Sequence, residues 1–184
     1  MKIIALLGSP RKGGNTETLV DAFAEGAKSK GAIVEKVRLN TLRIRGCQAC
    51  LSCHKEGKCA QKDDMQNVYE KLLDADVWLF ASPVYWWGPT AQLKAAIDRM
   101  YSFAFGDNPG VIEGKQAVFI TACADEIEVA TPHLLGMMKE CVAYLKMKWA
   151  GEIAVKAWKK VEAAQNTVAL KKARQLGARI ASAK

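Results

Sequence analysis

The sequence contains no apolar run long enough to cross a bilayer, which takes about 20 residues. Its opening run, Ile3-Ile4-Ala5-Leu6-Leu7, ends in a polar, glycine-rich turn and not in a signal-peptide cleavage pattern. Neither a membrane span nor a secretory leader is expected, and a cytoplasmic setting is. Also missing is any zinc-finger, RNA-recognition or basic-helix pattern to organise the 27 Lys and Arg residues. The net charge of +8 is spread through every segment, so nucleic acid is not an expected partner. There is no internal repeat. Disulfides are not expected of the six cysteines in a reducing compartment. The 184 residues, 50% hydrophobic and 25% charged, suit a single folded domain over 1–184 with a full core.

What is present starts at the N-terminus, with MKIIALLGSPRKGGNT. The apolar run reads as a buried strand, Gly8 to Gly14 as a turn, and Leu19, Phe23 and Ala27 as one face of a helix. The first amides of such a helix have no partner inside it and lie at the positive end of its dipole, which suits an anion. The hydroxyls of Ser9 and Thr16, the Asn15 amide and the charges of Arg11 and Lys12 are expected to converge there. No Gly-Lys-Ser/Thr follows the glycines and no G-x-G-x-x-G is present, so a monophosphate fits better than a pyrophosphate. The alternative is an ordinary polar turn between strand and helix.

Further along, strand patterns at 32–39, 77–81, 116–121 and 148–155 alternate with helical ones. Asp63 with Gln66 reads as a capping box, Thr90 as a helix cap, and Thr131-Pro132 as a cap and first-turn pair. Alternating strands and helices imply an α/β fold, a doubly wound, five-stranded parallel sheet. With the buried first strand beside the reversal point, the expected order is 2-1-3-4-5, and the loops after strands one, three and four should meet around one ligand.

Two loops carry the remaining chemistry. Ser82 to Gly88 sets aromatic rings beside Pro83, with Gly88 allowing close main-chain approach; this suits a flat ring system or a dimerisation surface. The loop 46–62 holds Cys47, Cys50, Cys53 and Cys59 as C-x2-C-x2-C-x5-C. Four thiolates so close suit a [4Fe–4S] cluster; zinc and free thiols are the alternatives. Cys123 and Cys141, in apolar surroundings, read as core or loop thiols, and His54 as an exposed loop residue.

GSPRKGGNT, ASPVYWWGPTAQLKAAIDRM and the cysteine loop together resemble the NADPH-dependent FMN reductase family, of flavodoxin-like fold, and within it the iron–sulfur flavoproteins. The resemblance implies FMN, its phosphate held by Ser9, Arg11, Asn15 and Thr16 and its isoalloxazine contacted by Pro83, Val84, Tyr85, Trp86 and Gly88. Further contact is implied at Thr121 and Cys123, where the fourth strand ends. Asp98-Arg99 is implied to be structural and not catalytic. The expected activity is electron transfer between NAD(P)H or ferredoxin and an acceptor, through FMN and the cluster, with flavin N5 and not a side chain receiving hydride. A homodimer or homotetramer is implied. Two other activities stay open: an NAD(P)H-dependent FMN or quinone reductase without a cluster, and a non-enzymatic flavodoxin-like carrier.

Overall fold

The computed structural model describes residues 1–183. In chain order its elements are β1 (Lys2–Leu7), α1 (Asn15–Lys28), β2 (Ile33–Arg38), α2 (Ser52–Glu56), α3 (Met65–Asp74), β3 (Val77–Pro83) and α4 (Ala91–Arg99). They continue with α5 (Asn108–Ile112), β4 (Gln116–Cys123), α6 (Ile127–Ala130), α7 (Pro132–Tyr144), β5 (Lys148–Lys156) and α8 (Thr167–Ser182). The five strands form one parallel sheet in the order β2-β1-β3-β4-β5, as the sequence leads one to expect. No helix among the described residues is long and apolar enough to cross a membrane.

The unbroken apolar run of β1 follows from burial on both faces. Ile3, Ala5 and Leu7 pack with Leu19 and Phe23 of α1 and Leu176 and Ile180 of α8. Ile4 and Leu6 face the opposite layer, with Met65 and Leu72 of α3, Leu93 and Ile97 of α4, and Leu134 and Met138 of α7. Strand β2 lies at an edge, and its Ile33 is exposed. Along β5 the register against β4 slips beside Gly151, the residue at which the sequence weakens this strand.

Helices α1 and α8 meet at backbone distance. A Cβ on Gly26 would stand 1.9 Å from the Arg174 carbonyl oxygen, and one on Gly177 2.0 Å from that of Phe23. Two glycines therefore fix the seat of α1 against α8.

Three local expectations need correction. The loop 46–62 contains the short helix α2. Thr131 and Pro132 do stand at the N-cap and first turn of α7, but the Thr131 side chain makes no cap bond; its hydroxyl donates to the Ile127 carbonyl of the short helix α6, an upstream acceptor hidden from a local pattern. The Asp63–Gln66 capping box does not close either. Asp63 accepts from the Met65 amide, but the Gln66 side chain reaches back to the carbonyls of Cys59 and Gln61. Thr90 does cap α4, accepting from the Leu93 amide, and donates to the Gly8 carbonyl, tying α4 to the first loop.

Gly177→Ala is expected to destabilise the fold by about 1–3 kcal/mol through overpacking against Phe23. Gly136→Ala, at an exposed position in α7 where a Cβ meets nothing within 4 Å, should be neutral or stabilising by up to about 1 kcal/mol. Urea unfolding of the two variants measures the contrast.

Candidate functional site

Four loops meet at the carboxyl edge of the sheet around a cavity of about 90 Å³. Ser9, Arg11, Gly14, Asn15 and Thr16 line it from the turn between β1 and α1, Pro83, Val84 and Tyr85 from the end of β3, and Ala122, Cys123 and Ala124 from the end of β4. The loop after β5 adds Ala157, Trp158 and Lys160, a contribution absent from the sequence reading. An aromatic and a lysine just beyond the last strand's carboxyl end were the available signal.

At the anion end, Ser9 and Thr16 are buried. Ser9 Oγ accepts from the Arg11 amide at 3.2 Å, leaving its own proton to donate. The Thr16 hydroxyl, 3% exposed as a residue, makes no hydrogen bond among the described residues. It sits in the first turn of α1 beside amides that the helix itself cannot satisfy. A free hydroxyl, an exposed Arg11 and a lysine, with no carboxylate in the lining among the described residues, give this end of the cavity a character suited to an anion. Proline, valine and tyrosine on one side and Trp158 on another give it apolar walls.

The expected site residues divide on inspection. Asn15 lines the cavity, but its amide is committed elsewhere: Nδ2 donates to the carbonyls of Ala157 and Lys159, and Oδ1 accepts from the Ala163 amide. The side chain read as an anion ligand instead fastens the β5 loop to the start of α1. Lys12 and Trp86 are exposed and Gly88 is half-buried, and all three stand outside the lining. Tyr85 and Gly88 exchange both backbone hydrogen bonds around a two-residue turn, with Trp86 (φ 51°) and Trp87 (φ 59°) both left-handed. This turn presents Trp86 to solvent, 91% exposed. Thr121 is fully buried and its Oγ1 lacks a partner among the described residues.

The four clustered cysteines line a second cavity, of about 110 Å³, shared with Asp98, Arg99 and Tyr101. Ala49 (φ 50°) and Leu51 (φ 59°), on either side of Cys50, are left-handed, a costly conformation for such residues that curls the chain tightly. Burial, then the neighbouring Cys59, Cys47 and Cys50, push the Cys53 thiol up, while the Ser52 hydroxyl and amide pull Cys50 down. Among the described residues, no three His, Cys, Asp or Glu side chains stand close enough to hold a metal ion as placed. The donor set itself, four soft sulfurs around one hollow, is that of an iron–sulfur or zinc site. Asp98 lies at the rim and pairs with Lys94, whereas Arg99 is wholly buried against the cysteine loop. A larger hollow, about 520 Å³ between α4 and α7, is lined almost wholly by apolar groups and shares Cys47, Asp98 and Tyr101 with the cysteine cavity.

A family model described as NADPH-dependent FMN reductase matches residues 1–157. An iron–sulfur flavoprotein of Archaeoglobus fulgidus is 33% identical over all of this chain and 80% of its own length. The putative NAD(P)H-dependent FMN-containing oxidoreductase YwqN of Bacillus subtilis is 25% identical over 83% of each chain. Among solved structures, the NAD(P)H:quinone oxidoreductase of Methanothermobacter marburgensis superposes with a TM-score of 0.78 at 19% identity, covering 100% of this chain and 98% of that one. At that identity the likeness concerns the fold alone.

Glu17 was not singled out by its sequence position, yet it braces the anion turn. Its carboxylate accepts from the Gly13 amide at 2.6 Å and pairs with Arg38 and Lys36 of β2. Burial alone would raise its pKa, but the bonds from Arg38 and Gly13 and the two nearby cations bring it below the ordinary carboxylate value. A depressed folded-state pKa stabilises above the unfolded value of about 4.3, and that contribution is lost as pH falls through the folded value. Glu17→Gln should therefore be less stable than the parent at pH 7, with the gap closing below about pH 4. Urea unfolding at a series of pH values checks this; a gap that widens in acid would contradict the assignment.

Proposed function

The chain belongs to the NADPH-dependent FMN reductase family, and from that membership we propose an FMN-dependent oxidoreductase of the iron–sulfur flavoprotein kind. NAD(P)H or ferredoxin is the electron donor, and Cys47, Cys50, Cys53 and Cys59 are the ligands of a [4Fe–4S] cluster. The observation that carries this reading is the coexistence in one chain of an anion cavity with apolar walls and a second cavity lined by four thiols. When bound, FMN supplies exchange between two-electron and one-electron transfer, and the cluster a one-electron relay.

The chain's own share is binding and placement. Ser9, Thr16 and the first amides of α1 hold the phosphate, and Arg11 and Lys160 offset its charge. Pro83, Val84 and Tyr85 flank the ring system, with Ala122, Cys123 and Ala124 at the β4 edge. No side-chain acid or base is needed for hydride acceptance. The net charge of +8 favours approach of an anionic dinucleotide. Tyr85, Trp86, Trp87 and Trp158 leave exposed aromatic surface near the cavity, which supports a homodimer or homotetramer.

A second reading, a reductase without a cluster, is favoured by the absence of three converging metal-ligating side chains among the described residues. Anaerobic reconstitution with counts of flavin, iron and zinc, read with visible and EPR spectra, separates the two. The expected result is about one flavin and about four irons per chain; flavin without iron establishes the second reading. Thr16→Ala is expected to weaken FMN binding about ten-fold or more, through loss of one charge-assisted hydrogen bond. Fluorescence titration measures it, and wild-type affinity in that variant would remove Thr16 from the phosphate site.

A further inference from the structure

We propose that Arg99 is an electrostatic tuning residue for the cysteine site: its guanidinium singles out Cys59 among the four thiols and raises the reduction potential of a cluster held there. This rests on the cluster reading above.

Arg99 ends α4 with its side chain wholly buried. All five of its N–H donors are spent. Two go to Asp63, Nη1 to Oδ2 at 2.8 Å and Nη2 to Oδ1 at 3.2 Å. Two go to main-chain carbonyls, Arg45 at 3.0 Å and Gln61 at 3.3 Å. The fifth, on Nε, points at Cys59 Sγ at 3.1 Å. Fixing the other four donors fixes the direction of the fifth, because the guanidinium is planar.

The other sulfurs receive weaker partners. Cys47 Sγ accepts from the Ala49 amide at 3.4 Å, and Cys50 Sγ lies 3.5 Å from the Ser52 hydroxyl. Cys53 Sγ has no hydrogen bond among the described residues. Among the described residues only Cys59 meets a charged donor, and charge-assisted bonds are the stronger kind. Hydrogen bonds to sulfur and local net charge are among the factors that set the potential of an iron–sulfur site. Adding one electron makes the site more negative, so a cation fixed against one sulfur stabilises the reduced form. Asp63, on the other side of the guanidinium, partly offsets that cation. Removing each charge should therefore shift the potential in opposite directions.

The opposed signs distinguish tuning from mere support, because both residues hold the same loop. Wild type, Arg99→Gln and Asp63→Asn are reconstituted anaerobically with iron and sulfide, checked for fold by circular dichroism and for iron content, and titrated under EPR. Arg99→Gln should lower the midpoint potential and Asp63→Asn should raise it. Shifts of the same sign, or none, with iron retained, overturn the tuning role and leave the cluster reading intact. If wild type takes up no iron while binding flavin, the cluster reading fails and this one falls with it. Should Arg99→Gln not fold, Arg99→Lys serves in its place, keeping the charge but losing the directed Nε–H. Its potential should fall below wild type by less than deletion of the charge implies, and an unchanged value counts against the proposal.

Discussion

Every strand in this sheet runs the same way, and that constraint organises the molecule. Parallel strands need crossover connections, which place helices on both faces and send all the strand-to-helix loops to one edge. The strand order then opens a crevice between β1 and β3, on either side of which the chain winds in opposite directions. The first turn of α1, the end of β3 and the end of β4 meet there because the connectivity leaves them no other edge. The candidate site is one that the topology supplies.

The parts of this arrangement legible in the sequence were those encoded over a few residues. The run Ile3–Leu7 followed by GSPRKGGNT reads as strand, turn and helix because burial, turn chemistry and capping all act locally there. The cysteine spacing is legible for the same reason. What stayed hidden depends on partners far away in the chain. Asn15, the first residue of α1, lines the cavity, but its amide is taken by Ala157, Lys159 and Ala163, more than 140 residues later. Glu17 looks like any acidic first-turn residue until β2 brings Arg38 and Lys36 against it. Trp158 and Lys160 join the cavity only because β5 closes the sheet on that side.

The two cavities are built by opposite strategies. The anion pocket relies on main-chain groups at a helix start, held in place by apolar packing underneath. The cysteine loop has little apolar substance of its own: Cys47 and Cys50 are exposed and Cys53 and Cys59 only half-buried. It is anchored by polar contacts to Arg99, Asp63 and Gln66, whose donors and acceptors reach the backbone at 45, 59, 61 and 65. A buried ion pair is an expensive anchor, since both charges must leave water, and it holds only while each partner keeps the other.

The crossing of α1 and α8 has a bearing on how sequences of this kind can diverge. The family model ends at residue 157, and α8, beginning at Thr167, lies wholly beyond it. Yet Gly177 leaves no room for a methyl group against the main chain of Phe23, about two turns along the helix whose start lines the candidate cavity. A tail outside the shared family region is thus sterically tied to the segment whose position matters most. Drift in the terminal helix is bounded at one face by the path of α1, whose start lines the cavity.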